Sequence, residues 1–292
     1  MSRTLCALSL AATVATLSGA AQAPARSMLW MVRAADGPPT YLAGSVHVLS
    51  KQYYPLKDMW NRAFESSTVL IEEVDLAEMD RPEAALGLLS KGVLADGRTL
   101  RDLIPDDLHA SVMARGRKLG LPEVALQRMK PWMAAMSLTA PELQNAGFDP
   151  ALGVDRHFFE RARQAGKERR ALETAAFQLD RLDQLSMPLQ TMMLRSAIED
   201  MDTEAANIGT IADAWATGNV TTLERLLLAA LLESPELYER LLVDRNRTWI
   251  APIEECVTRK TGCFVVVGAA HLVGPHSVVA MLRNKGYTVE QQ

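Results

Sequence analysis

The chain has 292 residues, 48% hydrophobic and only 5% aromatic, with a formal net charge of -4. That length supports one large domain or two small ones with a sizeable buried core, and a Leu/Ala/Val-rich interior poor in aromatics points to much helix. A slightly acidic chain without a Lys/Arg run carries no footprint for a polyanion, so no nucleic-acid partner is expected.

The opening stretch MSRTLCALSLAATVATLSGAAQA is different in kind. A short basic start at Arg3, an apolar run over residues 5–17 and the small-residue triplet Ala21-Gln22-Ala23 are laid out like a secretory signal. Residues 1–23 are therefore expected to be a signal peptide, leaving a domain over residues 24–292. The apolar run is too short for an ordinary membrane span, and no later stretch is long and apolar enough to provide one. The expectation is an exported chain, periplasmic or secreted, without a stable span. Only Cys256 and Cys263 then remain; in an oxidising compartment they either close a short-loop disulfide or stay as two thiols.

In chain order, residues 29–32 and 41–48 are apolar runs around the turn-forming Asp36-Gly37-Pro38-Pro39, the pattern of a β-hairpin. A helix is predicted over residues 55–64, and STVLIEEVDL over residues 67–76 reads as a strand with carboxylates at its end. Strand, helix and strand in this order form a βαβ unit, which predicts a parallel pair. Residues 81–242 are almost wholly helical in pattern, with residues 167–173 as a short strand or the approach to one. A buried-type strand over residues 262–268, a helix over 275–285 and a strand over 286–290 close the chain. The fold class predicted is α/β, with a mixed β-sheet core built from the N- and C-terminal segments and a large, mostly helical middle insertion.

Two strands end alike. YLAGSVH occupies residues 41–47 and VVVGAAH residues 265–271, so two of the five histidines follow an apolar run and a Gly-x-x-His step. In open α/β sheets ligands bind beyond the carboxyl ends of strands, and a glycine there permits a tight exit. If these two strands are neighbours, His47 and His271 converge on one site. Glu72, Glu73 and Asp75 occupy the same end of a third strand. Two imidazoles and a carboxylate are a common ligand set for a catalytic divalent metal. The plainer alternative is that each is a hydrogen-bonded strand-end residue. No His-Glu-x-x-His, Gly-x-Ser-x-Gly or phosphate-loop motif is present.

Taken in order, Gly44-Ser-Val-His47, the stretch at 67–76, Gly147-Phe-Asp-Pro150, Leu152-Gly-Val-Asp155, Leu172-Glu173-Thr174, Arg245-Asn246 with Trp249, Gly268-Ala-Ala-His271-Leu272 and Gly286-Tyr287 resemble the TraB/GumN family, which includes the Tiki proteins of animals. The resemblance covers residues 28–291. It implies a metal-dependent hydrolase, most concretely a metallopeptidase acting on peptides, using manganese or cobalt, with zinc as a further possibility. The implied metal ligands are His47, His271 and Glu73, with Glu72 as the alternative carboxylate if the strand is aligned one residue differently. The implied catalytic residues are Glu73, Glu173 and Arg245. Glu173 reads as a further ligand or general base, or else as an ion-pair partner. Arg245 reads as an oxyanion stabiliser or as the partner of a buried carboxylate. Asp155 reads as a helix N-cap or structural acceptor, His157 and His109 as helix residues outside the site, and His276 as a neighbour of the second motif.

The family also implies a second class of function. Members in conjugative bacteria are linked to shutting off peptide pheromones, which capture without cleavage would achieve, and others accompany exopolysaccharide genes. A partner surface on the methionine-rich stretch (Met187, Met192, Met193, Met201) is the third alternative; at helical spacing these residues equally read as adaptable core.

Overall fold

The computed structural model describes residues 26–34, 36–95, 97–200, 204–259 and 261–292. The predicted signal segment, 1–23, and Met201 lie outside the described residues. β1 (Leu29–Arg33) and β2 (Thr40–Ser45) pair antiparallel as the predicted hairpin, with Trp30 opposite Leu42. The second strand is shorter than its apolar run suggests. It ends at Ser45, because the chain turns out there to pair Leu49 with Asp149.

β3 (Val69–Glu72), β4 (Glu168–Ala171), β5 (Cys263–Gly268) and β6 (Thr288–Gln291) complete one mixed six-stranded sheet in the order β4-β3-β5-β2-β1-β6. β4, β3, β5 and β2 run parallel, while β1 pairs antiparallel with both β2 and β6. The predicted βαβ unit is present with one change. β2, the helix Asp58–Ser66 and β3 follow one another, but β5 is inserted between the two strands. The reason lies in composition: Phe264, Val265, Val266 and Val267 are apolar on both faces and belong at the sheet centre. The charged run Glu168-Arg169-Arg170 sits on the edge strand β4, where charge discourages further strand pairing.

Aromatic side chains seal one face of the sheet. Phe158 lies 4.6 Å from Phe264 and 5.9 Å from Trp60 between ring centroids, and Phe64 meets Phe264 edge-on at 5.6 Å. The insertion is mostly helical, as its periodicity predicts, and it contributes the edge strand β4 as well. It carries a smaller apolar cluster of its own, built on Leu100, Leu108, Val112, Leu138 and Leu194. Met187, Met192 and Met193 are half-buried on the helix Met187–Asp200, which packs against the helix Pro131–Asn145.

Of the two readings of the cysteines, the structure has the disulfide. Cys256–Cys263 ties the end of the helix Asp244–Val257 to the start of β5, with the Cα atoms 6.0 Å apart. Replacing both cysteines by serine is expected to cost about 2–3 kcal/mol, the chain-entropy value for so short a loop. Urea unfolding of the oxidised wild type beside the double variant measures it; equal midpoints would show that the crosslink adds nothing.

Candidate active site

The parallel pairing of β2 with β5 sets the site. Ser45 lies opposite Gly268 and Gly44 opposite Val267, so the two Gly-x-x-His segments leave the sheet side by side. His271 lies in the turn Ala269–Leu272 that directly follows β5, and His47 two residues past the end of β2. β3 pairs with the other edge of β5, with Glu72 opposite Val266. Glu73, one residue past β3, therefore reaches the same rim, where its Oε1 accepts from the Gly268 amide at 2.6 Å. A Cβ built on Gly268 would lie 3.2 Å from Glu73 Oε1, 3.6 Å from His271 Cδ2 and 3.8 Å from His47 Nε2. Its φ of -52° suits any residue, so glycine here serves space and not backbone conformation.

Each imidazole is held by its Nδ1. Asn246 donates its amide N–H to the His276 carbonyl at 2.8 Å, which turns its Oδ1 toward His271 Nδ1 at 2.6 Å. His271 must then carry its proton on Nδ1 and present the Nε2 lone pair to the site. Burial lowers its pKa to about 3, helped by the Arg245 and His47 charges and opposed by Glu73, so the ring is neutral at physiological pH. His47 Nδ1 meets Asp155 Oδ2 at 3.2 Å. This contact is built by backbone: the Val154 amide donates to the Val46 carbonyl, and a Cβ on Gly153 would come within 2.5 Å of the His47 carbonyl. Asp155 is thus an acceptor for His47, while the N-cap of its helix is Gly153. Burial opposes charge on His47, but the hydrogen bond and charge of Asp155, with Glu73 behind it, raise its pKa to about 9. Because 66% of the side chain faces solvent, water screens part of that rise.

Arg245 is the hub. Its Nη2 donates to Glu73 Oε2 at 2.6 Å, its Nε to both oxygens of Glu173 at 3.0 Å, and its Nη1 lies 3.2 Å from His271 Nε2. Trp249 donates to Glu173 at 2.9 Å, while its ring lies 4.4 Å from that of His271 and 4.9 Å from the guanidinium carbon. Gln178 donates to both Glu73 and Glu173. Burial alone would raise the Glu73 pKa, but the charges of His271, Arg245 and His47 and the Gly268 amide bring it down to about 2. His271 is itself neutral at pH 7, so Arg245, then His47 and the Gly268 amide, carry that effect there. Both Glu173 oxygens are taken by Arg245 and Trp249, which makes it an ion-pair partner as built.

Glu72 takes a different place, since alternation along the strand turns neighbouring side chains to opposite faces. It lines a cavity of about 520 Å³ that also touches Ser45, His47, Glu73 and Asp155. Glu72 Oε1, Ser45 Oγ and Asp155 Oδ1 are buried there with no protein partner. Burial, then the nearby Asp155 and Asp75 charges, raise the Glu72 pKa to about 8. A cavity of about 380 Å³ shares Ser45, His47 and Glu73 with the one that Glu72 lines and reaches Arg245 and His271. His157 packs against Tyr54 and Phe158, and His109 bonds Gln127; neither lines these two cavities. His276 contributes only its carbonyl, to Asn246. Asn246 and Gln178 carry positions that strand-end reasoning does not reach. An Arg-Asn-x-x-Trp step that places three site residues on one helix turn is the sequence signal for Asn246.

The fit to a metal ion divides in two. The donor chemistry fits: the Nε2 lone pair of His271, the Nε2 of His47 once that ring loses its proton, and an ionised carboxylate surround the space that a Gly268 Cβ would fill. The spacing is not that of a closed ligand group. Among the described residues no three His, Cys, Asp or Glu side chains stand close enough to hold an ion, since Arg245 bridges Glu73 and His271.

The comparisons with known proteins agree with the motifs. An uncharacterised protein, YbaP, of Escherichia coli is 25% identical over 245 residues, covering 83% of this chain and 87% of its own. Metalloprotease TIKI1 of Homo sapiens is 23% identical over 92% of this chain, and TIKI2 of Xenopus tropicalis 24% over 90%. The chain spans 62% and 59% of these two animal proteins. No solved structure matches. The sequence pattern of the TraB/PrgY/gumN family matches residues 28–291, and the chain belongs to that family.

Proposed function

We propose that this chain is an exported, divalent-metal-dependent hydrolase of peptides. The observation that carries the reading is the convergence of His47, Glu73 and His271 on Gly268, with Asp155 and Asn246 fixing both imidazoles so that Nε2 faces the site. The distant likeness to animal metalloproteases supports it, and the Cys256–Cys263 disulfide supports export. Among the described residues no helix is long and apolar enough to cross a membrane.

The ion would be held by Nε2 of His47, Nε2 of His271 and the carboxylate of Glu73. Bound there, it supplies Lewis acidity, polarising a scissile carbonyl and acidifying water. The remaining groups position these ligands. Asp155 orients His47, and Asn246 sets the tautomer of His271. Arg245 keeps Glu73 ionised and competes with the ion for it, while Glu173 holds Arg245. Capture of a peptide without cleavage is the second reading. It is favoured by that same competition, since Arg245 already satisfies Glu73 and His271.

Metal-dependent melting after chelation separates the two. Titrating manganese, cobalt and zinc is expected to show about one equivalent binding and raising the melting temperature of wild type, with affinity about 100-fold weaker in His47→Ala and His271→Ala. No binding by wild type, or binding by both variants as tight as wild type, sinks the metal reading. Gly268→Ala is expected to fold and melt within a few degrees of wild type, yet to lose the metal-induced rise, because the methyl enters the space between the ligands. A variant that keeps the full rise shows that the ion sits elsewhere.

Proton linkage gives an independent check. The His47 pKa is raised, toward about 9 before solvent screening, so binding expels a proton from the charged ring. Affinity is therefore expected to rise as pH increases from 6.5 toward 9 and to level off above it; calorimetry in buffers of different ionisation heat counts the proton released. The protein without metal behaves differently in acid. His271 binds its proton near pH 3 when folded and near 6.5 when unfolded, so stability falls as pH drops through that window. His271→Asn is expected to flatten the fall, and an unchanged slope in urea midpoints from pH 6.5 to 4 would remove His271 as its cause.

A further inference from the structure

We propose that the cavity of about 380 Å³ beside His47 and His271 is a subsite for one apolar side chain of a peptide substrate, walled by Leu143, Ile208, Ile211 and Leu227. The proposal rests on the hydrolase reading for the identity of its substrate, though not for the existence of the pocket. It adds a specificity element supplied by the helical insertion.

The walls come from three helices, Pro131–Asn145, Glu204–Thr217 and Val220–Leu232. All four wall side chains pack onto the main core yet are only half-buried, because one side of each looks into the cavity. Such a concave apolar surface loses its contact with water only when something apolar fills it. The titratable groups sit at one end, where His47, Glu73, Arg245 and His271 line the cavity at the strand ends. Among the described residues the far wall offers no charged partner. A Lys, Asp or Glu side chain seated there would be desolvated without compensation, whereas a Leu, Met or Phe side chain would be covered. The size is at the lower end for ligand pockets, enough for one large side chain with its flanking backbone and too small for a folded partner.

The polar end decides which part of the peptide is next to the pocket. The peptide group of the residue whose side chain fills the cavity then lies at the polar end, beside His47, Glu73, Arg245 and His271. Apolar preference should therefore apply to a residue bordering the scissile bond and fade at positions further away. The cavity of about 520 Å³ shares Ser45, His47 and Glu73 with this one but adds the buried, unpaired oxygens of Glu72 and Asp155, so the two differ in polarity. That difference orients the apolar residue toward the helical insertion.

The test uses a binding readout beside cleavage. N-acetyl-leucinamide and N-acetyl-aspartamide are added at millimolar concentration to metal-loaded and chelated wild type, to Ile211→Trp and to Leu227→Trp, and melting is followed. Both indoles fill the cavity from different helices, so one variant serves if the other folds poorly. The leucine compound alone is expected to raise the melting temperature of wild type, with the rise lost in a filled variant that melts normally without ligand and keeps its metal response. In parallel, capped hexapeptides of Gly and Ser carrying one Leu, Phe, Ala, Asp or Lys are incubated with each protein. Leu and Phe peptides are expected to be cleaved at least ~10-fold faster than Ala, and Asp and Lys peptides not at all. Leucine-specific stabilisation without any cleavage supports the subsite while removing the hydrolase reading for these peptides. Cleavage that ignores the varied residue, or filled variants that bind the leucine compound as wild type does, overturns the subsite and leaves the hydrolase reading standing. No stabilisation of wild type by the leucine compound, with no apolar preference in cleavage, overturns the subsite as well.

Discussion

The in-register parallel pairing of β2 with β5 is the constraint on which the rest of this molecule depends. It sets Ser45 against Gly268, and both Gly-x-x-His segments then leave the sheet at one height. Val265, Val266 and Val267 are buried on both faces of β5, which places that strand at the sheet centre beside β2. Hydrophobic burial at the centre of the sheet thereby holds two histidines from opposite ends of the chain in one place. The Trp215 hydrogen bond to the Gly44 carbonyl braces the same junction, and the disulfide anchors the other end of β5.

Around that junction lies a buried group of charges. Arg245, Glu73 and Glu173 are 13%, 11% and 3% exposed, and every oxygen of the two carboxylates is satisfied. A buried cluster of this kind is weak support for stability, since desolvation offsets most of the attraction. Its value here lies in placement. One guanidinium orders two carboxylates and faces the Nε2 of His271. The edge strand β4 contributes to this placement: its pairing continues past its end, where the Glu173 amide donates to the Glu73 carbonyl at 2.8 Å. That contact brings an insertion residue to the rim of the core sheet.

The helical insertion is therefore part of the site. It supplies Asp155 to orient His47, Glu173 and Gln178 to frame Arg245 and Glu73, and the Leu143, Ile208, Ile211 and Leu227 wall of the apolar cavity. The sheet ends present His47, Glu73 and His271, and the insertion sets what surrounds them.

Much of this was legible in the sequence, for physical reasons that differ by element. The hairpin turn, the all-apolar run before Gly268 and the helical periodicity of the middle are local patterns, and local patterns reflect burial. The two Gly-x-x-His steps mark strand ends, so His47 and His271 stand out before any fold is known. The sequence left Glu72 and Glu73 as rivals, because at a strand end alternation does not say which face is which. The tertiary structure turns Glu73 toward Gly268 and Arg245 and Glu72 into the cavity of about 520 Å³. Likewise, Glu173, Arg245 and Asp155 each had two readings by residue type alone. Their partners lie 72 or more positions away, at Arg245, Glu73 and His47. Composition and periodicity determined which segments are buried and where the chain turns. Only the closing of the sheet, with β5 between β2 and β3, decided which charges meet, since hydrogen-bond partnership at such separations is a property of strand order and leaves no local signature.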